Sequence, residues 1–421
     1  MVLTAVIGLP LTAQALTPEK PAVPVAEKIS TTTKDGAVLE GVWLKQPGNP
    51  AAPVAVVNHG VLENTRMMDP YMRELHRKGY QVMAFNFRGH GDGSATSGRQ
   101  HRFSKPPKNH PVTFDRIAAY DIDAIVDKAI EVTGQKNVAM HGHSMGGMSA
   151  SAYLEGVTYK NGKLILDDTL SGVRQLKVRS LVMLGSPPHI DDLKGIILKL
   201  LTLDKHTQSI ARSIDLFNLP KRLNEVLDYL ESKGSMHKAL AKKIEAMLGK
   251  LASVDNPVSG ILFHPENFKN HPDDFIRMLR HGISPASNEL MLKNFGEWAK
   301  AGTGSLKSAT GEIDFAAHYG RIKIPVTFIA GEHDVLAPAE KIYRDFYLKI
   351  GSRNKRFIVV KAGHLDLVRA AGLQGMKNVM HILDDPEALR FHFEKDRGDL
   401  CHIETLHIFS NNGIVRILRW E

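Results

Sequence analysis

The sequence predicts an α/β domain built on a mostly parallel central sheet. From residue 37 onward, short apolar runs alternate with amphipathic stretches, which is the pattern of buried strands joined by crossover helices. This alternation stops near residue 189 and resumes near residue 318. We therefore expect a helical cap inserted between two strands of the sheet, and a further extension after the last strand.

Composition and charge narrow the class of protein. The chain has 421 residues, of which 43% are hydrophobic and 24% charged, as in an ordinary globular protein. Its net charge of +9 comes from basic residues spread along the chain, so we expect no nucleic-acid partner, while attraction to anionic lipid surfaces stays open. The single cysteine, Cys401, cannot form an internal disulfide.

The first residues resemble a secretory signal. Residues 1–15 are mostly apolar, and Ala13-Gln14-Ala15 fits the small-x-small cleavage pattern, although no basic residue precedes Lys20. Residues 16–36 are rich in proline and are interpreted as a flexible lead-in. We expect export from a bacterial cell, to the periplasm or the medium, with a cytoplasmic location as the alternative.

The first part of the predicted α/β core spans residues 37–188. Apolar runs indicate strands at 37–45 (at the sheet edge), 53–60, 81–91, 136–144 and 178–188. Helices are expected around 69–78, over 115–133 and directly after Ser144. An Asn-Gly turn predicts a small hairpin over 158–166.

The later part of the chain divides into three predicted segments. Residues 189–317 contain several helical stretches and no convincing strand, which predicts the cap. The core resumes over 318–375, with strands at 324–334 and 356–364 separated by a helix near 339–348. Residues 376–421 form a C-terminal extension, in which two alternating runs around Asn411-Asn412-Gly413 predict a hairpin.

A candidate nucleophile lies between a predicted strand and a predicted helix. Gly142-His143-Ser144-Met145-Gly146 fits the pattern G-x-S-x-G. In that setting the glycines allow a sharp turn that projects the serine hydroxyl at the helix N-terminus. The alternative is a glycine-rich turn with no chemical role.

A serine nucleophile needs a base and an orienting carboxylate. Asp334 and His364 follow two successive later strands, in the chain order Ser, Asp, His. Glu332 and Asp366 are nearby rivals for the acid. The oxyanion hole is expected to use the backbone N–H groups of two residues, which we predict to be Val61 and Met145.

Further residues bear on the substrate pocket and on whether the protein binds a metal ion. His59 is expected to order the loop after its strand by hydrogen bonding, and the pocket is predicted to include His59, Met148, Leu184 and Pro187. Five histidines of the cap are scattered rather than at metal-ligand spacing; they are His206, His237, His264, His271 and His281. We therefore predict no metal site.

Five short motifs resemble the α/β-hydrolase superfamily. They are "NHG" (58–60), "FNFRGHGDGS" (85–94), "GHSMGG" (142–147), "AGEHDVLAP" (330–338) and "AGH" (362–364). They are most similar to the monoglyceride lipase, lysophospholipase and serine-aminopeptidase-like branch. The resemblance implies an α/β-hydrolase fold, a Ser144-His364-Asp334 triad with Val61 and Met145 as oxyanion donors, no cofactor, and ester or amide substrates.

We therefore predict a serine hydrolase that cleaves carboxylic esters, of the esterase or lipase type, acting on a small-molecule or lipid-like ester. The amphipathic stretch 193–206 of the cap could shield an acyl pocket or lie on a lipid surface. One alternative is an aminopeptidase or acyltransferase with the same triad, for which Asp191, Asp192 and Glu289 could bind a substrate amine. A second is a non-catalytic binding protein. The oligomeric state stays open.

Overall fold

The computed structural model describes the predicted core almost completely and the predicted cap in part. The described residues are 25–91, 112–190, 226–227, 229–253, 263–264, 272–282, 284, 294, 298, 305–369, 392–395, 403–410 and 413–420. The predicted signal segment 1–15, the first part of the lead-in and the stretch 193–206 lie outside the described residues.

An eight-stranded sheet forms the centre of the fold. Its strands are β1 (Glu27–Thr32), β2 (Val38–Leu44), β3 (Val54–Asn58), β4 (Gln81–Phe85), β5 (Val138–His143), β8 (Val178–Leu184), β9 (Val326–Gly331) and β10 (Lys355–Val360). Their order in the sheet is β1-β2-β4-β3-β5-β8-β9-β10. Strand β2 runs antiparallel to both of its neighbours, and every pair from β4 to β10 is parallel. The sheet is therefore mostly parallel, as predicted.

Helices connect the strands. They are α1 (Asp69–Arg77), α2 (Phe114–Arg116), α3 (Ile122–Thr133), α4 (Met145–Leu154), α5 (Asp168–Lys177), α6 (Ser235–Ser253), α7 (Pro272–Arg277) and α8 (Ala339–Ile342). A π-helical turn, Ile117–Asp121, joins α2 to α3. Within the described ranges, no helix combines the length and the apolar character that crossing a bilayer requires.

Both faces of the sheet are buried, and this explains the apolar character of its strands. Val54 and Val56 of β3 belong to a core cluster with residues of α3 and α4. Ala55 and Val57 belong to a second cluster with residues of α1. Because alternate side chains of one strand enter two different cores, the strand is apolar throughout. The residues predicted for the site, Ser144, Asp334 and His364, follow the carboxyl ends of three of these strands.

The first edge of the sheet differs from the prediction. The strand predicted over 37–45 is β2, which lies inside the sheet, and the edge is β1. Residues 27–32 had been assigned to the flexible lead-in, so that assignment is wrong for this stretch. Strand β1 has the sequence EKISTT and no buried residue, so it lacks the apolar run from which the other strands were predicted.

Helix α5, at Asp168–Lys177, is a second element that the sequence analysis did not predict.

The hairpin over 158–166 consists of β6 (Val157–Lys160) and β7 (Lys163–Leu166), which pair antiparallel. Asn161 and Gly162, between these strands, both have positive φ, 52° and 76°. Two positive φ values are what a tight type I′ turn requires. This local signal was strong enough to be read from the sequence.

The predicted cap is helical where it is described, but its last part belongs to the core. Helices α6 and α7 lie in this segment. Trp298, Leu306 and Phe315 are fully buried in the cluster that also holds α3 and α4. The core therefore extends further into the predicted cap (189–317) than the sequence indicated. After residue 391, β11 (His392–Lys395), β12 (Ile403–Ser410) and β13 (Gly413–Trp420) form a separate antiparallel sheet.

Candidate active site

The predicted nucleophile lies in a sharp turn between β5 and α4. Ser144 has φ 50° and ψ −122°, a conformation that costs an L-residue on the order of 1–3 kcal/mol. A Cβ atom at Gly142 would clash with the backbone of Gly147, and one at Gly146 would clash with the carbonyl oxygen of Asn58. The flanking glycines are therefore required by the close approach of the backbone. This is the geometry expected of a nucleophile elbow.

The predicted acid and base form a buried pair. His364 Nδ1 lies 2.8 Å from Asp334 Oδ2. The other carboxylate oxygen, Oδ1, accepts the N–H groups of Leu336 and Ala337, at 2.9 and 2.8 Å. Because the ionised carboxylate can only accept, His364 donates from Nδ1 and its Nε2 is left as the acceptor.

The two rival acids occupy other positions. The side chain of Asp366 accepts the N–H groups of Gly363 and His264 through Oδ2, at 3.0 and 2.6 Å. Glu332 is exposed. Neither makes a described hydrogen bond to the ring of His364, so the structure pairs this histidine with Asp334.

The end of β8 brings the serine and the acid–base pair to one place. The N–H of Ser144 donates to the carbonyl of Leu184, the last residue of β8, at 2.9 Å. A Cβ atom at the next residue, Gly185, would lie 2.9 Å from Asp334 Oδ2 and 3.4 Å from His364 Nδ1. The three predicted residues therefore meet at the carboxyl edge of the sheet.

Two backbone N–H groups border the same turn. Met145 is the first residue of α4, where N–H groups have no partner within the helix. Val61 follows the loop residue Gly60 after β3, and that loop packs on the elbow at Gly146. In the described part of the chain, neither the Val61 nor the Met145 N–H donates to a protein acceptor.

Comparison with known proteins agrees with this geometry. Residues 49–188 match the family model described as serine aminopeptidase, S33. That range contains β3, the loop with Val61, the elbow with Ser144 and β8. The chain has the α/β-hydrolase fold. The predicted resemblance to the serine-aminopeptidase-like branch of that superfamily is confirmed.

The individual proteins that this chain resembles share little sequence identity with it. The lipase lipl-3 of Caenorhabditis elegans is 26% identical over 182 residues, which is 40% of this chain and 41% of that lipase. The chain therefore aligns with less than half the length of that relative. A Pseudomonas aeruginosa hydrolase has a TM-score of 0.46 at 17% identity, covering 85% of this chain and 99% of that one. The Pyrococcus furiosus esterase Pf2001 has a TM-score of 0.47 at 16% identity, covering 86% and 91%.

The residues predicted for the pocket are buried beneath the site. His59 Nδ1 lies 2.7 Å from the Gly60 carbonyl, and Nε2 accepts the Phe87 N–H at 3.0 Å. Burial, with the nearby His90, lowers the pKa of His59 to about 3, so the ring is neutral and orders its loop. Met148 and Leu184 lie in the two core clusters, and Pro187 is also buried. A role of these four residues in substrate binding stays a prediction.

Two further residues at the site were not predicted from the sequence. Glu63 and His143 form a buried pair directly behind the elbow, with His143 Nδ1 2.8 Å from Glu63 Oε1. The only signal in the sequence was an acidic residue three positions after Gly60. Their partnership spans 80 residues of sequence, so it needed the structure.

The described residues contain no group of three or more histidine, cysteine, aspartate or glutamate side chains placed to hold a metal ion. Of the five scattered histidines, His206 and His271 lie outside the described residues. His264 contacts the ring of His333, with ring centroids 4.3 Å apart.

Proposed function

We propose that this protein is a serine hydrolase that cleaves carboxylic esters through Ser144, His364 and Asp334. The observation that carries the proposal is the strained conformation of Ser144, φ 50° and ψ −122°, beside the buried His364–Asp334 pair. A fold retains such strain at a position where it serves function.

The proton transfer in this proposal follows from the hydrogen bonds of His364. Its Nδ1–H donates to Asp334, so Nε2 is free to take the proton of the Ser144 hydroxyl. The serine oxygen attacks the acyl carbonyl as the proton leaves. The carboxylate of Asp334 stabilises the imidazolium that forms, and two backbone N–H groups hold its second oxygen in place.

The negative charge that develops on the carbonyl oxygen would be held by the N–H groups of Val61 and Met145. A single oxyanion donor contributes a factor of ~10²–10³ in rate. His364 returns the proton to the leaving alcohol, which departs and leaves an acyl-enzyme on Ser144. Water, deprotonated by His364, then releases the carboxylic acid and restores the serine.

The proposed substrate is a small-molecule or lipid-like ester. One support is that the curated relative with 26% identity is named a lipase. A second is the cap surface, where Tyr229 and Met236 are 60% and 78% exposed. Exposed lysines lie on α6, which also carries Met236, at 238, 242 and 243. Apolar and basic side chains together suit contact with an anionic lipid surface.

An aminopeptidase is the second candidate, because the matching family model carries that name. The same triad can attack an amide. A peptidase would need carboxylates that bind the substrate amine. The three candidates for that role, Asp191, Asp192 and Glu289, lie outside the described residues. An acyltransferase would differ only in passing the acyl group to an alcohol or amine other than water.

Hydrolysis of p-nitrophenyl esters of increasing acyl length tests the proposal. Aminoacyl p-nitroanilides are assayed in parallel, and Ser144→Ala is the control. We expect ester hydrolysis that the substitution abolishes, with the preferred chain length measuring the acyl pocket. Faster cleavage of the anilides would favour the aminopeptidase. A folded wild-type protein without activity on either series would overturn the proposal.

A further inference from the structure

A buried ion pair lies directly behind the proposed nucleophile. His143, the residue before Ser144, is completely buried, and the side chain of Glu63 is 4% exposed. His143 Nδ1 lies 2.8 Å from Glu63 Oε1 and 3.0 Å from Oε2. His143 Nε2 lies 2.9 Å from the carbonyl oxygen of His364. Both ring nitrogens therefore face oxygen acceptors.

This arrangement requires a charged imidazolium. A carbonyl oxygen only accepts, so Nε2 must carry a hydrogen, and the carboxylate requires a second hydrogen on Nδ1. Burial alone would lower the pKa of His143, but the charge and hydrogen bond of Glu63 raise it above its ordinary value. Burial would likewise raise the pKa of Glu63, but the charge of His143 and the hydrogen bonds lower it. The two groups hold each other in the ionised form.

Glu63 also fastens the loop that carries Val61. The N–H of Gly60 donates to Glu63 Oε2 at 2.7 Å. A Cβ atom at Gly60 would lie 2.9 Å from the carboxyl carbon of Glu63, so this glycine permits the close approach. The carboxylate therefore connects the loop after β3 with the residue that precedes the nucleophile.

His143 continues the connection to the loop after β10. Its Nε2–H holds the carbonyl of His364, and the two rings are in contact, with centroids 4.9 Å apart. The side chain of His364 extends from this backbone to Asp334. One ion pair thus contacts the three segments that carry Val61, Ser144 and His364.

We propose that Glu63 and His143 are positioning residues that align the loop that carries Val61, the nucleophile Ser144 and the base His364. This role rests on the proposed function and adds residues to it. Neither side chain needs to touch the substrate, because each acts through backbone groups of the segments that do. Displacing reacting groups by about 1 Å can cost ~10²-fold in rate, so an effect on turnover is expected.

The test compares Glu63→Ala and Glu63→Gln with the control Asp123→Ala. Asp123 is also a buried carboxylate, 6% exposed and paired with Arg174, but it lies on α3 and makes no contact with the proposed site. Values of kcat and KM are measured on the preferred p-nitrophenyl ester. The temperature is one at which circular dichroism shows every variant to be folded.

We expect Glu63→Ala to lower kcat ~10²-fold while KM changes by less than about threefold. Glu63→Gln keeps an acceptor for Gly60 and a polar contact with His143, and should recover kcat to within about tenfold of wild type. Asp123→Ala should keep kcat within about twofold, whatever its unfolding midpoint.

Three outcomes would overturn the positioning role in an active enzyme. They are a loss of kcat in Glu63→Ala no larger than in Asp123→Ala, an equal effect on KM, and no recovery in Glu63→Gln. A folded wild-type protein that hydrolyses neither esters nor anilides would instead overturn the proposed function itself. The two failures are therefore distinguishable.

Discussion

At the scale of single residues, Ser144 lies in a strained turn next to the buried His364–Asp334 pair. The pattern around Ser144 predicted the turn because only glycine fits at both flanks, at Gly142 and Gly146. Asp334 and His364 could be predicted because parallel strands end at one edge of a sheet. The pairing of Glu63 with His143 could not, because it depends on how two distant loops approach each other.

Asp334→Asn tests the assignment of the orienting acid. The amide oxygen can still accept the N–H groups of Leu336 and Ala337, while the amide N–H₂ faces His364. The ring must then accept at Nδ1 and carry its hydrogen on Nε2, where it cannot take the serine proton. We expect kcat to fall ~10⁴-fold with little change in KM, as measured on the preferred ester.

The rival acid provides the matched comparison. Asp366 uses its carboxylate to accept backbone N–H groups, and the amide of Asp366→Asn can do the same. We expect this variant to keep kcat within about tenfold of wild type. A larger loss in Asp366→Asn than in Asp334→Asn would contradict the assignment.

At the scale of elements, part of the predicted cap is hydrogen-bonded to the loop that carries Val61. The Ser284 N–H donates to the Leu62 carbonyl at 2.8 Å, and Asn64 Nδ2 donates to the His281 carbonyl at 2.9 Å.

A second link involves Arg369, five residues after His364. It donates to both carboxylate oxygens of Asp274 in α7, at 3.1 and 2.5 Å. It also donates to the carbonyls of Arg66 and Met67, at 3.2 and 3.0 Å. Residues 272–282 and Ser284 thus join the loops on either side of the proposed site.

Arg369→Ala tests the contribution of this link to stability. Arg369 and Asp274 have side chains only 6% and 7% exposed, so the substitution leaves a buried carboxylate with only a 3.9 Å contact to the exposed Arg277. We expect the free energy of unfolding to fall by about 3–5 kcal/mol, measured by urea denaturation. Adding Asp274→Leu should recover a large part of that loss.

A control pair lies at the surface. Lys45 and Glu27 are 45% and 53% exposed where they pair at 2.7 Å, and Glu27→Ala should change stability by less than about 1 kcal/mol. If the double variant Arg369→Ala, Asp274→Leu is no more stable than Arg369→Ala alone, the buried charge is not the cause of the loss.

Buried strands could be predicted from the sequence, whereas the edge strand and the long-range contacts of the cap could not. The buried strands β3, β5 and β8 were predicted because each is a short apolar run between polar loops. The edge strand β1 has no buried residue and carries no such run, although Ile29 packs partly against the core. Residues 272–282 and Ser284 were predicted only as part of the cap, because their hydrogen bonds to the loop that carries Val61 join positions more than 200 residues apart.

At the scale of the whole molecule, the segment that returns the chain from the cap to the sheet is part of the core. Trp298 packs edge-to-face against Phe114, with ring centroids 5.3 Å apart. Its Nε1–H donates to the Lys307 carbonyl at 2.6 Å. Next to Phe114, Asp115 Oδ2 accepts the N–H of Ala309 at 2.8 Å. The seam between the two halves of the predicted core therefore contains a buried carboxyl group.

Asp115 makes stability depend on pH. Burial raises its pKa from 3.8 to about 6. Between these values the folded protein keeps a proton that the unfolded chain releases, so stability falls as pH rises through this window. The loss is complete above about pH 6 and amounts to about 3 kcal/mol.

Asp115→Asn has no proton to lose at this position and keeps an oxygen for the Ala309 N–H. The stability of the variant relative to wild type should increase by about 2 kcal/mol between pH 4 and pH 7, because the unfolded carboxyl group is already partly ionised at pH 4. Urea denaturation of both proteins at the two pH values measures this difference. A difference that stays constant with pH would contradict the assignment.

The most direct test of the central claim is covalent labelling of the folded protein with a fluorophosphonate, followed by mass spectrometry of the labelled peptide. An activated serine forms a stable phosphonyl ester, whereas an ordinary serine hydroxyl does not react. We predict stoichiometric labelling at Ser144, abolished by heat denaturation and strongly slowed by Asp334→Asn. Labelling at a different residue, or no labelling of the folded chain, would contradict the assignment of Ser144 as a nucleophile.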